Sequence, residues 1–321
     1  MKLGVFTPVF AKHTLDQVLG KLRTLPGVNA IELATGGWPG SEHVDVDGLL
    51  ASPAKAQELR KKIADAGLTI SALSCHGNPL HPNRAMAKDH DEVFHKSIRL
   101  AKELGVSVVV NFSGCPGDGE EGKCPNWIIA PWPPEFLETL EWQWEKKVIP
   151  YWQKAAKFAA DHGVKVAIEP HPGFVVYNVE TAMKLRDATA KNIGVNFDPS
   201  HLFWQGVDVP VAVRALGDSI FHMHAKDSAL LQQNIALNGV LDAKTYRHMQ
   251  DRAWLFRTVG WGHDEIVWKQ IFSALRMVGY DHVISIEHED ALASVDEGLQ
   301  SAASFLSRIV LKEPQVEPWW T

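Results

Sequence analysis

The chain has 321 residues, 45% of them hydrophobic and 22% charged, a balance that supports a sizeable core in one large domain or two ordinary ones. A formal net charge of −6 argues against nucleic acid as a partner, which selects for a basic face, and the apolar runs are far too short to span a bilayer. The N-terminal residues carry no leader-cleavage pattern, and the three cysteines, Cys75, Cys115 and Cys124, form no paired framework, so a cytoplasmic protein is the default expectation.

Strand-like and helix-like segments alternate from the start. Residues 3–10 read as a strand and 15–25 as a helix; 30–35 is a strand and 53–66 a helix. Ser52 stands at the N-cap of that helix, Pro53 at its first position and Gly67 just past its end. Residues 69–76 are a strand, followed by a helix over 84–104 closed by Gly105; 107–113 is a strand, followed by a long helix over 135–162 closed by Gly163. Further strands fall at 165–171, 193–201, 220–227 and 282–290, with helices near 180–190, 209–216, 265–278 and 295–311. Eight strand–helix units in one chain predict an α/β fold, a single-domain (β/α)8 TIM barrel over residues 1–321.

Two aromatic-rich insertions break the rhythm. Residues 115–134 hold Trp127 and Trp132; residues 228–264 hold Trp254, Phe256, Arg257 and Trp261. Both follow strands, the fourth and the seventh, so both are expected over the C-terminal face as lids, substrate walls or subunit contacts. Trp319 and Trp320 are expected to pack on the barrel or on a neighbouring subunit of a homo-oligomer, because two exposed indoles in a row are unfavourable.

Within the later strands, one parity is bulky and apolar: Val195 and Phe197, Phe221 and Met223, Ile284 and Ile286. The other is small or polar: Gly194, Asn196 and Asp198; His222, His224 and Lys226; Ser285, Glu287 and Glu289. Successive strand residues face opposite sides, so the bulky set faces the helices and the polar set points into the barrel. Glu169, Asp198, His224 and Glu287 all lie near the C-terminal ends of their strands, the face that carries the active site in this architecture. Three converging carboxylates repel one another unless a cation neutralises them. Three oxygens and one nitrogen, with two positions open, suit octahedral Mn²⁺, Mg²⁺ or Co²⁺ better than closed tetrahedral Zn²⁺.

The ordered pieces, Glu169 in IEP, Asp198 and His201 in FDPSH, His224 in HMHAKD and Glu287 in IEHED, resemble the xylose isomerase-like TIM-barrel superfamily, in particular its epimerase branch. That superfamily includes sugar isomerases, ketose 3-epimerases, inosose dehydratases and the endonuclease IV group. The resemblance implies that Glu169, Asp198, His224 and Glu287 bind one divalent metal, with manganese the first choice. It also implies that Glu169 and Glu287 are the catalytic pair, one removing a proton next to a carbonyl and the other returning it, and that His201 contacts the substrate. The metal would polarise the carbonyl and stabilise the enediolate. A small carbohydrate substrate and an isomerase or epimerase reaction follow as expectations. The alternative is a metal-dependent lyase, of the inosose dehydratase or 3-keto-glycoside-cleaving type. The HAKD stretch lacks the Asn-Asp-Ser sequence of the DNA-repair branch.

His76 closes the third strand and is read as a substrate contact. Glu32 and Asn111 have the parity to reach the sugar, and Lys226 either steadies an oxyanion or pairs with Asp227. His222 is read as a core or supporting residue, and His171 as a substrate contact or a cap on its loop. The long insertion between His224 and Glu287 points to a substrate larger than a free monosaccharide, or to oligomerisation. The mouth shows no Gly-rich cradle or Arg/Lys cluster for a phosphorylated sugar.

Overall fold

The computed structural model describes residues 1–320. Eight parallel strands close into a barrel: β1 (Lys2–Phe6), β2 (Val28–Ala34), β3 (Thr69–Ser74), β4 (Val108–Asn111), β5 (Lys165–Ile168), β6 (Ile193–Phe197), β7 (Ile220–Ala225) and, last in the chain, β10 (Val283–Ile286), which pairs with both β7 and β1. Between β7 and β10 the antiparallel hairpin β8 (Asp227–Leu230) and β9 (Trp254–Arg257) stands apart as a second, small sheet. The barrel is the expected one.

The two faces of the strands explain the closure. Val195, Phe197, Met223, Ile284 and Ile286 are buried in the main hydrophobic core. Small residues hold the inner positions: Gly4 of β1 lies in register with Ala30 of β2 and Ser285 of β10. The surrounding helices stop where their caps dictate. Ser52 accepts from the Lys55 N–H at the start of Pro53–Asp65, and Asn83 accepts from Ala85 and Met86 at the start of Arg84–Leu104. Gly105 then takes the left-handed conformation (φ 67°) that closes this helix, a place where a β-carbon would be strained.

Three expectations need correction. Most strands are shorter than their apolar runs: β1 gives way to a 3₁₀ turn at Thr7–Phe10, and β6 ends at Phe197 before the short helix Ser200–Phe203. The helix read over 135–162 is interrupted by a π-helical segment, Gln143–Val148. Pro150, at the start of the next α-helical stretch, lacks the N–H that a continuous ladder needs. Trp319 and Trp320 do not pack on the barrel: they are 90% and 71% exposed, beyond the last helix (Val295–Ile309), and meet only edge to face at 5.7 Å. Among the described residues, no helix is long and apolar enough to cross a membrane.

Candidate metal centre and substrate cavity

Glu169, Asp198 and Glu287 each follow directly on a barrel strand (β5, β6 and β10), and His224 lies within β7. The backbone holds them there. The Glu169 N–H continues the ladder to the Asn111 carbonyl at 2.9 Å, and the Glu287 N–H does the same to Ala225 at 3.2 Å. Asp198 uses Oδ1 to accept from the Ser200 N–H at 2.8 Å, where the chain turns into its short helix, leaving Oδ2 to face the barrel axis side. One donor atom from each of the four groups lies within 4.8 Å of the others.

His224 is clamped from below. Its Nε2 meets the Glu32 carboxylate at 3.0 and 3.1 Å, so its Nδ1 faces upward, 2.9 Å from Glu287 Oε2 and 3.3 Å from Glu169 Oε2. Both that Nδ1 and Asp198 Oδ2 are buried and lack a hydrogen bond of good geometry, although charged partners crowd each of them at 2.9–3.3 Å. Buried polar atoms are rarely left so. Burial disfavours charge on His224, yet Glu32 and Glu287 beside it raise its proton affinity well above the ordinary imidazole value. The position thus demands positive charge, and a divalent ion bound by the neutral ring meets that demand as a proton does. A cation therefore fits this donor set.

The other charges point the same way. Burial pushes Glu169 up, but the charge on His76 and hydrogen bonds from His201, His224 and His76 outweigh it, holding the carboxyl well below its usual range. Burial likewise disfavours the Lys226 ammonium, which Asp198, Glu287, Glu289 and Glu169 together keep charged, its pKa well above the ordinary lysine value. Its Nζ lies 2.9 Å from Glu287, 3.1 Å from Asp198 and 3.1 Å from Glu289.

Above the cluster opens a cavity of about 460 Å³, within the range that takes a small organic ligand. Glu169, His76, His171, Lys226, Glu287 and Glu289 line it with polar groups and Phe6, Trp38, Phe112 and Phe174 with aromatic rings, the imidazoles of His76 and His171 packing against Phe112 at 4.5 and 4.8 Å. His76 reaches it as expected, its Nε2 3.0 Å from Glu169 Oε2, and Lys226 does too. His201 lies in the cluster itself, 3.2 Å from Asp198 Oδ2 and 3.3 Å from Glu169 Oε1. His171 caps its loop, its Nδ1 donating to the Pro172 carbonyl at 2.7 Å, and its ring also lines the cavity.

Two expected sugar contacts lie elsewhere. Glu32 is fully buried one layer down, shared between His224 and the Ser74 hydroxyl. Asn111 is also fully buried, and its Oδ1 accepts from the Gly77 and Phe112 N–H groups, holding two strand-end turns. Glu32 has the inward parity but lies too deep, whereas Asn111 stands in register with Ile168, the residue before inward-facing Glu169, so its parity turns it to the other face of the strand. Nor does Asp227 pair with Lys226. It faces away, as the next residue along an extended chain must, and accepts from the N–H groups of Gly260, Gly262 and His263 and the Trp268 indole. His222 takes the supporting place expected, with Nδ1 3.0 Å from Asn196 Oδ1. Asn196, to which sequence reading gave no role, donates to Glu169 Oε2 at 2.8 Å; its inward parity was the available signal. Glu289 and the aromatic rings of the cavity were also missed.

Fold and site together define a parallel barrel with an acidic and imidazole cluster at the C-terminal ends of its strands. The chain belongs to the xylose isomerase-like TIM barrel family, whose model matches residues 20–309. It is 38% identical over 313 residues to the Bacillus subtilis protein YfiH, described as uncharacterized, covering 97% of this chain and 99% of that one. Among solved structures, the probable 3-DHS dehydratase AsbF from Bacillus anthracis aligns with a TM-score of 0.67 at 17% identity, covering 96% of this chain and 99% of that one. The IolI protein, solved with a bound zinc atom, aligns at 0.65 and 19%, covering 97% and 98%. Ketose 3-epimerases are among the further structural neighbours. At these identities the structural likeness concerns the fold.

Proposed function

We propose that the protein is a divalent-metal-dependent isomerase or epimerase of a sugar or keto-sugar, with the metal held by Glu169, Asp198, His224 and Glu287. One observation carries the reading: four groups from four neighbouring strand ends bring three carboxylate oxygens and one imidazole nitrogen to within 4.8 Å of one another. When bound, the cation supplies the positive charge that acidifies a C–H next to a carbonyl and offsets the oxyanion left behind. Glu169 and Glu287 enter the cavity from strands three places apart around the ring. One is placed to take the proton and the other to return it from a different side. His76 and Asn196 hold the Glu169 carboxylate by hydrogen bonds to Oε2. Lys226 is the cationic group of the cavity lining that can meet a substrate oxygen, while His201 holds Glu169 and Asp198 from behind. Manganese is the expected ion, by the oxygen-rich donor set.

A second reading is a lyase that expels water or an aglycone after the same proton removal; the aromatic rings in the cavity lining suit an apolar aglycone as the departing group. One experiment separates the two and tests both. Protein stripped with chelator and reloaded singly with Mn²⁺, Mg²⁺, Co²⁺ or Zn²⁺ is incubated in deuterium oxide with a panel of ketoses and 3-keto-glycosides. Deuterium entering the carbon next to the carbonyl, with the molecule otherwise intact, is the expected result; loss of water or aglycone marks the lyase. Glu169→Gln and Glu287→Gln are each expected to abolish exchange. Full activity in the stripped protein would refute the mechanism in either form.

A further inference from the structure

Glu169 presents its two carboxylate oxygens to different neighbours. Oε2 accepts from Asn196 at 2.8 Å and lies 3.0 Å from His76 Nε2 and 3.3 Å from His224 Nδ1, so it serves the cluster described above. Oε1 meets another group, His201, whose Nε2 is 3.3 Å away. Among the described residues, no lysine or arginine pairs directly with Glu169; its charged partners are all imidazoles.

Two histidines flank this carboxylate on the His201 side. His201 is fully buried, and its Nε2 also stands 3.2 Å from Asp198 Oδ2, yet it makes a hydrogen bond of good geometry with neither carboxylate. Both separations exceed the roughly 2.7–2.9 Å of a charge-assisted bond. The His171 ring packs against it, with centroids 4.1 Å apart. His171 Nδ1 donates to the Pro172 carbonyl at 2.7 Å, so its proton sits on Nδ1 and Nε2 keeps its lone pair. An imidazole tied to a backbone carbonyl by one nitrogen is held as a metal ligand is held, with the other nitrogen ready to bind. One donor atom from each of Glu169, His171 and His201 lies within 4.8 Å of the others.

We infer a second cation position, held by Glu169, His171 and His201 beside the cluster of Glu169, Asp198, His224 and Glu287. The two donor sets differ in kind. The first has three oxygens and one nitrogen, whereas this one has two imidazole nitrogens and one oxygen, a set that suits Zn²⁺ or Co²⁺. Glu169 bridges the two positions, the arrangement that holds ions about 3.5–4 Å apart in two-metal sites, with the shared carboxylate offsetting their repulsion. Three protein donors leave a coordination position open. Because Glu169 and His171 line the cavity, that position is open to a water or a substrate hydroxyl. The inference rests on the proposed function for the first ion only; the second donor set stands on its own geometry.

Metal stoichiometry tests it without asking for turnover. Chelator-stripped protein is equilibrated with Zn²⁺, dialysed, and analysed for bound metal per chain, with the fold of each variant checked by circular dichroism. The wild type is expected to retain two equivalents and His171→Ala one. Asp198→Asn combined with His224→Ala should keep one equivalent, which adding His171→Ala removes. In wild-type protein with ¹⁵N-labelled histidine, Zn²⁺ filling this position should shift the Nε2 resonances of His171 and His201. A single equivalent in the wild type would overturn the inference. So would two equivalents in His171→Ala, since the second ion would then lie elsewhere. If the deuterium experiment fails while both equivalents bind, the proton chemistry is wrong and the second position stands; exchange with a single bound equivalent sinks the second position alone.

Discussion

Glu32 illustrates how one layer of depth changes a residue's task. Burial raises the energy of its charge, yet His224 and His222 beside it hold its pKa down to about 2, so it remains a carboxylate. Accepting from His224 Nε2, it selects the tautomer whose Nδ1 lone pair faces Glu169 and Glu287. Partners of this kind tune metal affinity through the histidine they orient. Glu32→Gln keeps the size but loses the charge. It is expected to weaken Mn²⁺ binding by roughly 10- to 100-fold, measured by metal titration, with the barrel still folded by circular dichroism. Unchanged affinity would remove Glu32 from this role. The sequence put Glu169, Asp198, His224 and Glu287 together because all four share inward parity at a strand end. Parity cannot separate Glu32 from them, since height in the barrel depends on the register between neighbouring strands, such as the shift between Ile31 and Glu32 where β2 meets β3; Asn111 was given the wrong parity, because only the register of β4 with β5, which sets it beside Ile168, shows which face it takes.

At the scale of elements, the caps of Arg84–Leu104 and Pro53–Asp65 were legible because Asn, Ser, Pro and Gly act locally. The π segment was hidden, because its cause combines Pro150 with contacts from a distant loop: the buried Gln143 amide donates to the carbonyls of Gly117 and Asn126 at 3.0 and 2.8 Å. The helix over Arg84–Leu104 also carries a titrating pair. His95 Nδ1 lies 3.3 Å from Asp91 Oδ1, and the Tyr151 hydroxyl, from the helix Ile149–Asp161, donates to Asp91 at 2.8 Å. His95 is raised above its ordinary pKa chiefly by its hydrogen bond to Asp91, against burial and the nearby Arg99. Asp91 is lowered: burial opposes this, but bonds from His95 and Tyr151 prevail. A raised histidine contributes fully below its unfolded value and loses the contribution as pH rises through the folded one; a lowered aspartate contributes above its unfolded value and loses it as pH falls through the folded one. The stability difference between wild type and Asp91→Asn, from urea midpoints, should thus be largest between about pH 4 and pH 6.5 and shrink on both sides. A difference that does not vary across pH 3 to 9 would mean the pair's charge contributes nothing.

At the scale of the whole molecule, closure brings together what sequence separates. Phe6 ends β1, and Trp38, Phe112 and Phe174 follow β2, β4 and β5 in loops or turns with no periodicity to mark them, so their meeting could be read only from the closed ring. The proposed metal site depends on the same closure, because its four candidate donors stand on β7 and at the ends of β5, β6 and β10, whose mutual spacing exists only in the folded barrel. A ligand that binds the native state alone stabilises it by mass action, about 2.7 kcal/mol at a hundred-fold excess over its dissociation constant. For a chain of this size that corresponds to a rise in melting temperature of roughly 5 °C. Addition of Mn²⁺ to chelator-stripped protein should produce such a rise in a thermal scan, and excess chelator should reverse it. Asp198→Asn combined with His224→Ala should abolish the rise, because the remaining carboxylates lack the nitrogen and the third oxygen. An equal rise in that double variant would place the stabilising ion elsewhere on the molecule.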